Sequence, residues 1–266
     1  MYSTNYHRAS SVADAVKLLK KADDGKFVSG GMTLIPAMKT RLAAPSDLVD
    51  LRHVPELKGI KISGKTVTIG AATTHAEVAA NAKLASVCPA ICNLAAHIGD
   101  PHVRHMGTIG GSVANNDPAA DYPAALLALG ATIVTNKREI AADKFFTGLF
   151  ETALKDDEVI TAVTFTAPAK CGYAKFPNPA SRYAMTGVFV AKAKDGVRVA
   201  VTGAGEEGVF RSKEIEAALS KKFDTSALEG VSVSAGTLMS DIHANAEYRA
   251  NLVVVMAKRA VASANG

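Results

Sequence analysis

The sequence predicts an α+β protein of one large or two modest domains, and three observations carry that prediction. Its 266 residues are 48% hydrophobic and 21% charged, enough to bury a sizeable core. Stretches with helical spacing interleave with short runs of apolar and polar alternation. From about Thr161 the pattern becomes strand, strand, helix, helix, as expected of a separate C-terminal domain.

Taken in order, Ser10 or Ser11 is placed to cap a helix through Lys21, with Val12, Val16 and Leu19 on one face. Phe27 and Val28 then run as a strand into Gly30-Gly31, and "TLIPAMKTRL" reads as a short helix that tolerates Pro36 only in its first turn. "DLVDL" reads as a strand, and "GIKISGKTVTIGAAT" as two strands turning at Ser63-Gly64. "THAEVAANAKLASVCPAICNLAAHIG" is helical, broken near Pro89 and ended by Gly99. "YPAALLALGATIV" is a helix leading into a strand. Beyond it come "AVTFTAP", two strands turning at Asp195-Gly196, a helix from Ser212 to Lys222 and a terminal helix near Tyr248 to Ala262.

Composition narrows function. The net charge of +5 comes from scattered lysines and arginines, which argues against a nucleic-acid partner. Three cysteines, Cys88, Cys92 and Cys171, make no disulfide framework and fit a reduced, cytoplasmic setting. The opening residues lack a secretory layout, and no apolar run approaches the ~20 residues a bilayer span needs.

Several motifs invite chemistry. "GIKISGKT" satisfies the phosphate-loop pattern, but "VTIGA" continues it as a strand where a phosphate-binding helix is required. "GAGEEG" matches three spaced glycines, yet Glu206 and Glu207 would press carboxylates toward a pyrophosphate, so it reads as a loop. Cys88 and Cys92, with His97, His102 and His105 nearby, resemble a metal set, but Pro89 lies between the thiols and buried cysteines are often small apolar residues. "SGGMT" and "TIGGS" carry more weight, since each joins a Gly-Gly pair to flanking hydroxyls. A glycine pair lets successive backbone N–H groups turn toward an anion, and two such loops from opposite sides suit a dinucleotide pyrophosphate. Alone, each pair reads first as a tight turn, and it is the presence of two matching pairs that reverses the preference.

"VSGGMTLIPAMKTRLAAPSDLVDL", "IGAATTHAEV", "IGDPHVRHMGTIGGSVANNDPAADYPAALLALGA" and "ASRYAMTGVFVAK" together resemble the FAD-binding medium subunit of molybdenum hydroxylases, the flavoprotein family of carbon monoxide dehydrogenase and xanthine dehydrogenase. The likeness extends to "FRSKEIEAAL" and "NAEYRANLVVVMAKRA". It implies a vanillyl-alcohol-oxidase (PCMH)-type FAD-binding domain over residues 1–168, in subdomains of about 1–55 and 56–168. A small C-terminal α+β domain with an antiparallel sheet, 169–266, would follow. By the same resemblance, Ser29, Gly30, Gly31, Met32, Thr33 and Leu34 form the first pyrophosphate loop, and Thr108, Ile109, Gly110, Gly111 and Ser112 the second. Asp121 falls at a position contacting the adenosine part, although before "YPAALLAL" it is also placed as a helix N-cap. Lys175 and Tyr183 fall near the isoalloxazine, as a cation for the reduced flavin and a ring over one face, and Gly99 and Val103 line it. Met32 and "DPHVRHM" depart from the family pattern, so His102 and His105 receive no role.

The resemblance implies noncovalent FAD, no metal and no catalytic residue on this chain. A small iron-sulfur subunit and a large molybdopterin subunit would complete a hetero-oligomer, a dimer of heterotrimers. Three cysteines are too few for two iron-sulfur clusters, which need about four each. Electrons would pass from the partner's clusters through FAD to NAD, a quinone, a cytochrome or oxygen. Two other readings stay open: a free-standing FAD-dependent oxidase or reductase of the same fold, and a scaffold subunit without flavin.

Overall fold

The computed structural model describes residues 1–266. The chain opens with β1 (Asn5–Arg8), α1 (Val12–Leu19), β2 (Gly25–Val28), α2 (Leu34–Lys39) and β3 (Asp47–Asp50). The three strands form a parallel sheet in the order β1-β3-β2, and the helices supply the crossovers that parallel pairing requires. Pleating sends alternate side chains of β3 to opposite faces: Val49 joins Ala15 under α1, while Leu48 joins Met38 of α2. Ser11 caps α1 by accepting from the Asp14 N–H. The helix ends two residues earlier than its spacing suggests, because Lys21 and Ala22 close tighter turns on Leu18 and Leu19.

A second unit follows as β4 (Ile60–Ser63), β5 (Thr66–Gly70), α3 (His75–Ala80), α4 (Ala82–Val87), α5 (Pro89–Ala96), α6 (Pro101–Met106), α7 (Ile109–Asn115), α8 (Tyr122–Ala128), β6 (Thr132–Thr135), β7 (Glu139–Ala141), α9 (Ala142–Phe145), β8 (Phe146–Gly148), β9 (Glu151–Thr152) and β10 (Ile160–Thr166). Its five-stranded sheet runs β4-β5-β10-β6-β7, with all neighbours antiparallel. "GKT" is the hairpin end between β4 and β5, with Gly64 at φ +58, so no helix stands behind a phosphate there. The helical stretch breaks at Asn81 as well as at Cys88. Asn81 leaves α3 in an extended conformation and its side chain accepts from the Leu84 N–H to start α4. Every residue of α8 is buried, so this helix has no polar face and sits at the centre of the largest core.

The chain continues through β11 (Lys170–Pro177), β12 (Ala184–Ala193), β13 (Gly196–Thr202), β14 (Phe210–Arg211), α10 (Lys213–Lys221) and α11 (Ala246–Asn265). The strands make an antiparallel sheet in chain order. A Cβ on Gly172 would lie 1.9 Å from the Ala260 carbonyl oxygen, so this glycine permits β11 to lie against α11. The largest core also takes in Cys171, Tyr173, Phe189, Ala191 and Ala200, which seats the last sheet directly on α5 and α8. No helix of the chain is long and apolar enough to cross a membrane.

Candidate functional site

A cavity of about 720 Å³ is lined by the β2–α2 turn, α6, α7, the segments around Ala72 and Val159, and the β11–β12 turn. All the sequence-predicted residues except Ile109 and Lys175 line it. Part of its wall is apolar and drawn from the first unit and its neighbours (Leu51, Leu57, Ala72, Val159); Ile98, Gly99, Val103, Arg182 and Tyr183 form another part.

The first glycine pair makes a cradle. None of the backbone N–H groups from Ser29 to Leu34 finds an acceptor within the chain, although they form six consecutive donors beside the cavity. Gly31 holds φ +70, a conformation that bends successive N–H groups toward one side. Gly30 serves a different need: a Cβ there would lie 2.2 Å from the Met106 carbonyl oxygen, so only glycine admits the chain so close to the end of α6.

The second pair is built differently from the first, contrary to the likeness expected from their sequences. Gly110 and Gly111 lie in the first turn of α7, not in a loop, with Thr108 as N-cap accepting from the Gly111 N–H at 3.2 Å. The Ile109 N–H is spent on the Thr73 carbonyl and that of Gly110 on the Ala71 carbonyl. Gly110 is small for packing, since its Cβ would lie 2.5 Å from the Ala71 Cβ. The Ile109 side chain is fully buried in the core and does not line the cavity.

The two segments are joined where Thr108 Oγ1 donates to Ser29 Oγ at 3.1 Å. Gly99 at φ +52 packs on Val103, and the Arg104 guanidinium donates to the Ile98 and Gly99 carbonyls, fixing the turn before α6. Ser112 and Met32 line the wall without holding another element in place.

Asp121 does not cap α8, because its side chain accepts no N–H of that helix. Its buried carboxylate instead accepts from the Tyr173 hydroxyl and from Lys175 Nζ at 2.9 Å. Burial pushes the Asp121 carboxyl above its usual range, against the pull of Lys175 and the Tyr173 hydroxyl. Lys175 also donates to the His97 carbonyl at 2.8 Å, and its side chain is 5% exposed. Its charge is thus spent on Asp121 behind the cavity wall, a correction to its expected place beside a flavin ring. Tyr183 does reach the cavity, 44% exposed. Burial and the nearby Asp117 and Asp121 raise its phenol pKa.

Sequence reasoning missed His75, Phe150 and Glu158, which also line the cavity. Phe150 holds φ +55 and is exposed, and its loop is pinned by the Asn116 amide donating to Gly148 and Glu151 carbonyls. Glu158 is fully engaged by Arg138 and Thr135, which hold its pKa at about 2. "KDDEVI" offers three adjacent acids and no way to choose the buried one. No group of three or more His, Cys, Asp or Glu residues is placed to hold a metal ion. The sulfurs of Cys88 and Cys171 lie 3.6 Å apart, while Cys92 faces the Asn81 carbonyl.

Residues 2–168 match the family model described as the FAD binding domain in molybdopterin dehydrogenase. The chain is 35% identical to the carbon monoxide dehydrogenase medium chain of Afipia carboxidovorans, over 97% of this chain and 96% of that one. It is 33% identical to the nicotine 6-hydroxylase medium subunit of Paenarthrobacter nicotinovorans, with the same coverage. Among solved structures it superposes on a chain of the cyanide-inactivated Cu,Mo-CO dehydrogenase with TM-score 0.86, 35% identity and 99% and 98% coverage. On quinoline 2-oxidoreductase from Pseudomonas putida 86 the TM-score is 0.87, at 28% identity and 99% and 97% coverage.

Proposed function

The chain belongs to the family of FAD binding domains in molybdopterin dehydrogenases, and on that basis we propose that it is the electron-transferring medium subunit of a molybdenum hydroxylase complex. It takes electrons from an iron-sulfur small subunit and passes them to an external acceptor, while substrate is oxidised on a molybdopterin large subunit. The names "medium chain" and "medium subunit" of its relatives support this division of labour. So does the cysteine content, which is too low for iron-sulfur clusters of its own.

The observation that carries the reading is the run of unspent N–H groups from Ser29 to Leu34, lining the cavity where Ser29 meets Thr108. Such a cradle fits a pyrophosphate because an anion satisfies donors that the protein leaves free. Bound FAD supplies electron transfer in single steps or in pairs. Ser29 to Leu34 hold the diphosphate, and Thr108, Gly110, Gly111 and Ser112 form the adjoining wall. Gly99, Val103 and Tyr183 flank the flavin, and Asp121 stands by the adenosine part. Lys175 acts through Asp121, fixing its carboxylate. We assign residues 1–168 to the FAD-binding unit and 169–266 to a C-terminal unit that brings Tyr183 to the cavity. The complex is a cytoplasmic dimer of heterotrimers with noncovalent flavin.

Purification from the native source tests this. The protein should be yellow, release FAD on acid treatment and retain iron-sulfur and molybdenum subunits. Colourless protein that neither retains nor takes up FAD would sink the proposal.

A further inference from the structure

His75 stands at the first position of α3, where Thr74 and Glu77 form a reciprocal capping box. It is 5% exposed, it lines the cavity, and its Nδ1 is buried with no hydrogen-bond partner. Its backbone N–H donates to the Gly107 carbonyl at 2.9 Å, and its ring lies 5.4 Å from that of Tyr122. Nε2 is turned toward Gly107, 2.7 Å from the place a Cβ there would occupy. Gly107 in turn touches Gly30, whose Cβ would lie 2.6 Å from the Gly107 Cα. His75 thus stands at the cavity beside the crossing of the two glycine segments, against Gly107, which precedes Thr108.

No hydrogen bond within the chain reaches either ring nitrogen, and a buried imidazole N–H is costly unless something outside the chain supplies its acceptor. Burial, assisted by the positive charge of Arg104, lowers its pKa to about 4, so the ring is neutral at pH 7 and one nitrogen carries the proton. An orphaned N–H deep in the protein is rarer than an orphaned acceptor. That favours a bare Nδ1 and a proton on Nε2, on the Gly107 side.

We propose that His75 is a cofactor-binding residue, a neutral imidazole whose Nε2–H donates to an oxygen of the FAD pyrophosphate. This rests on the assignment of FAD to the cavity. His75→Phe keeps the ring on Tyr122 and removes the donor; His75→Gln restores a donor.

Apoprotein of each variant is titrated with FAD and, separately, with ADP, which carries the pyrophosphate without the flavin. A charge-assisted hydrogen bond of this kind corresponds to a loss of about tenfold or more. His75→Phe should weaken both ligands by that factor, with its apoprotein unfolding within a few degrees of wild type, and His75→Gln should recover most of it. In wild-type protein with 15N-labelled histidine, ADP should shift the Nε2 signal and leave Nδ1 unprotonated; this readout stands even where a variant fails to fold. Unchanged affinity in His75→Phe, a loss for FAD alone, or an Nε2 signal indifferent to ADP overturns the proposal. Wild-type protein that binds no FAD at all would instead strike the assignment beneath it.

Discussion

Thr108 Oγ1 donates to Ser29 Oγ at 3.1 Å, joining residues 79 positions apart while the same hydroxyl accepts from the Gly111 N–H. One side chain therefore starts α7 and fixes the distance between the glycine segments. Thr108→Val keeps the volume and loses both bonds. Removing an N-cap costs about 1 kcal/mol, so chemical unfolding of the apoprotein should show that loss, and FAD should dissociate faster. Thr108→Ser should behave as wild type; equal damage from both variants would contradict the role of the hydroxyl.

The two glycine pairs should respond differently to substitution. Gly31→Asp sets a carboxylate among unspent N–H groups at φ +70, and the expected product is folded, colourless protein. Gly110→Ala forces a Cβ to within 2.5 Å of that of Ala71. It should lower stability by about 1 to 3 kcal/mol through overpacking. Thermal unfolding and flavin content, measured together, separate the two effects; a yellow Gly31→Asp protein would argue against the cradle.

Lys175→Met leaves the Asp121 carboxylate buried without its cation. Breaking a buried pair from one side costs about 3 to 5 kcal/mol. The double variant with Asp121→Asn should recover much of that loss, since no uncompensated charge remains. Additive losses in urea unfolding would show that the two residues do not act as a pair.

Acid should weaken the fold through Glu158. Its folded-state pKa, about 2, lies below the usual 4.5 because Arg138 holds the carboxylate. The stabilisation is therefore fully present above about pH 4.5 and is lost as pH falls toward 2. Urea midpoints measured from pH 6 to pH 3 should fall in wild type and fall less in Glu158→Gln. Parallel curves would assign the acid sensitivity elsewhere, with Asp157, whose pKa is also about 2, the next candidate.

Tyr183 stands at the cavity, 44% exposed, on the turn between β11 and β12. A phenol ring over the flavin quenches its emission by electron donation, which a phenyl ring cannot supply, so Tyr183→Ala and Tyr183→Phe should both brighten bound FAD. Equal fluorescence in all three proteins would remove Tyr183 from the flavin.

The sequence by itself determined the α+β class, most helices and hairpins, and the two glycine segments, because capping residues, period and turn chemistry are local properties. "GKT" is legible as a hairpin for that reason, since the alternation after it belongs to a strand. Only the tertiary structure decided which glycine does what. Gly31 bends an open cradle, whereas Gly30 and Gly110 make room for Met106 and Ala71, residues 76 and 39 positions away in the chain. It also gave Lys175 to Asp121 and placed His75 beside Gly107 at the cavity. Those outcomes depend on which donors and charges folding leaves without a partner, and partners distant in sequence leave no periodic trace.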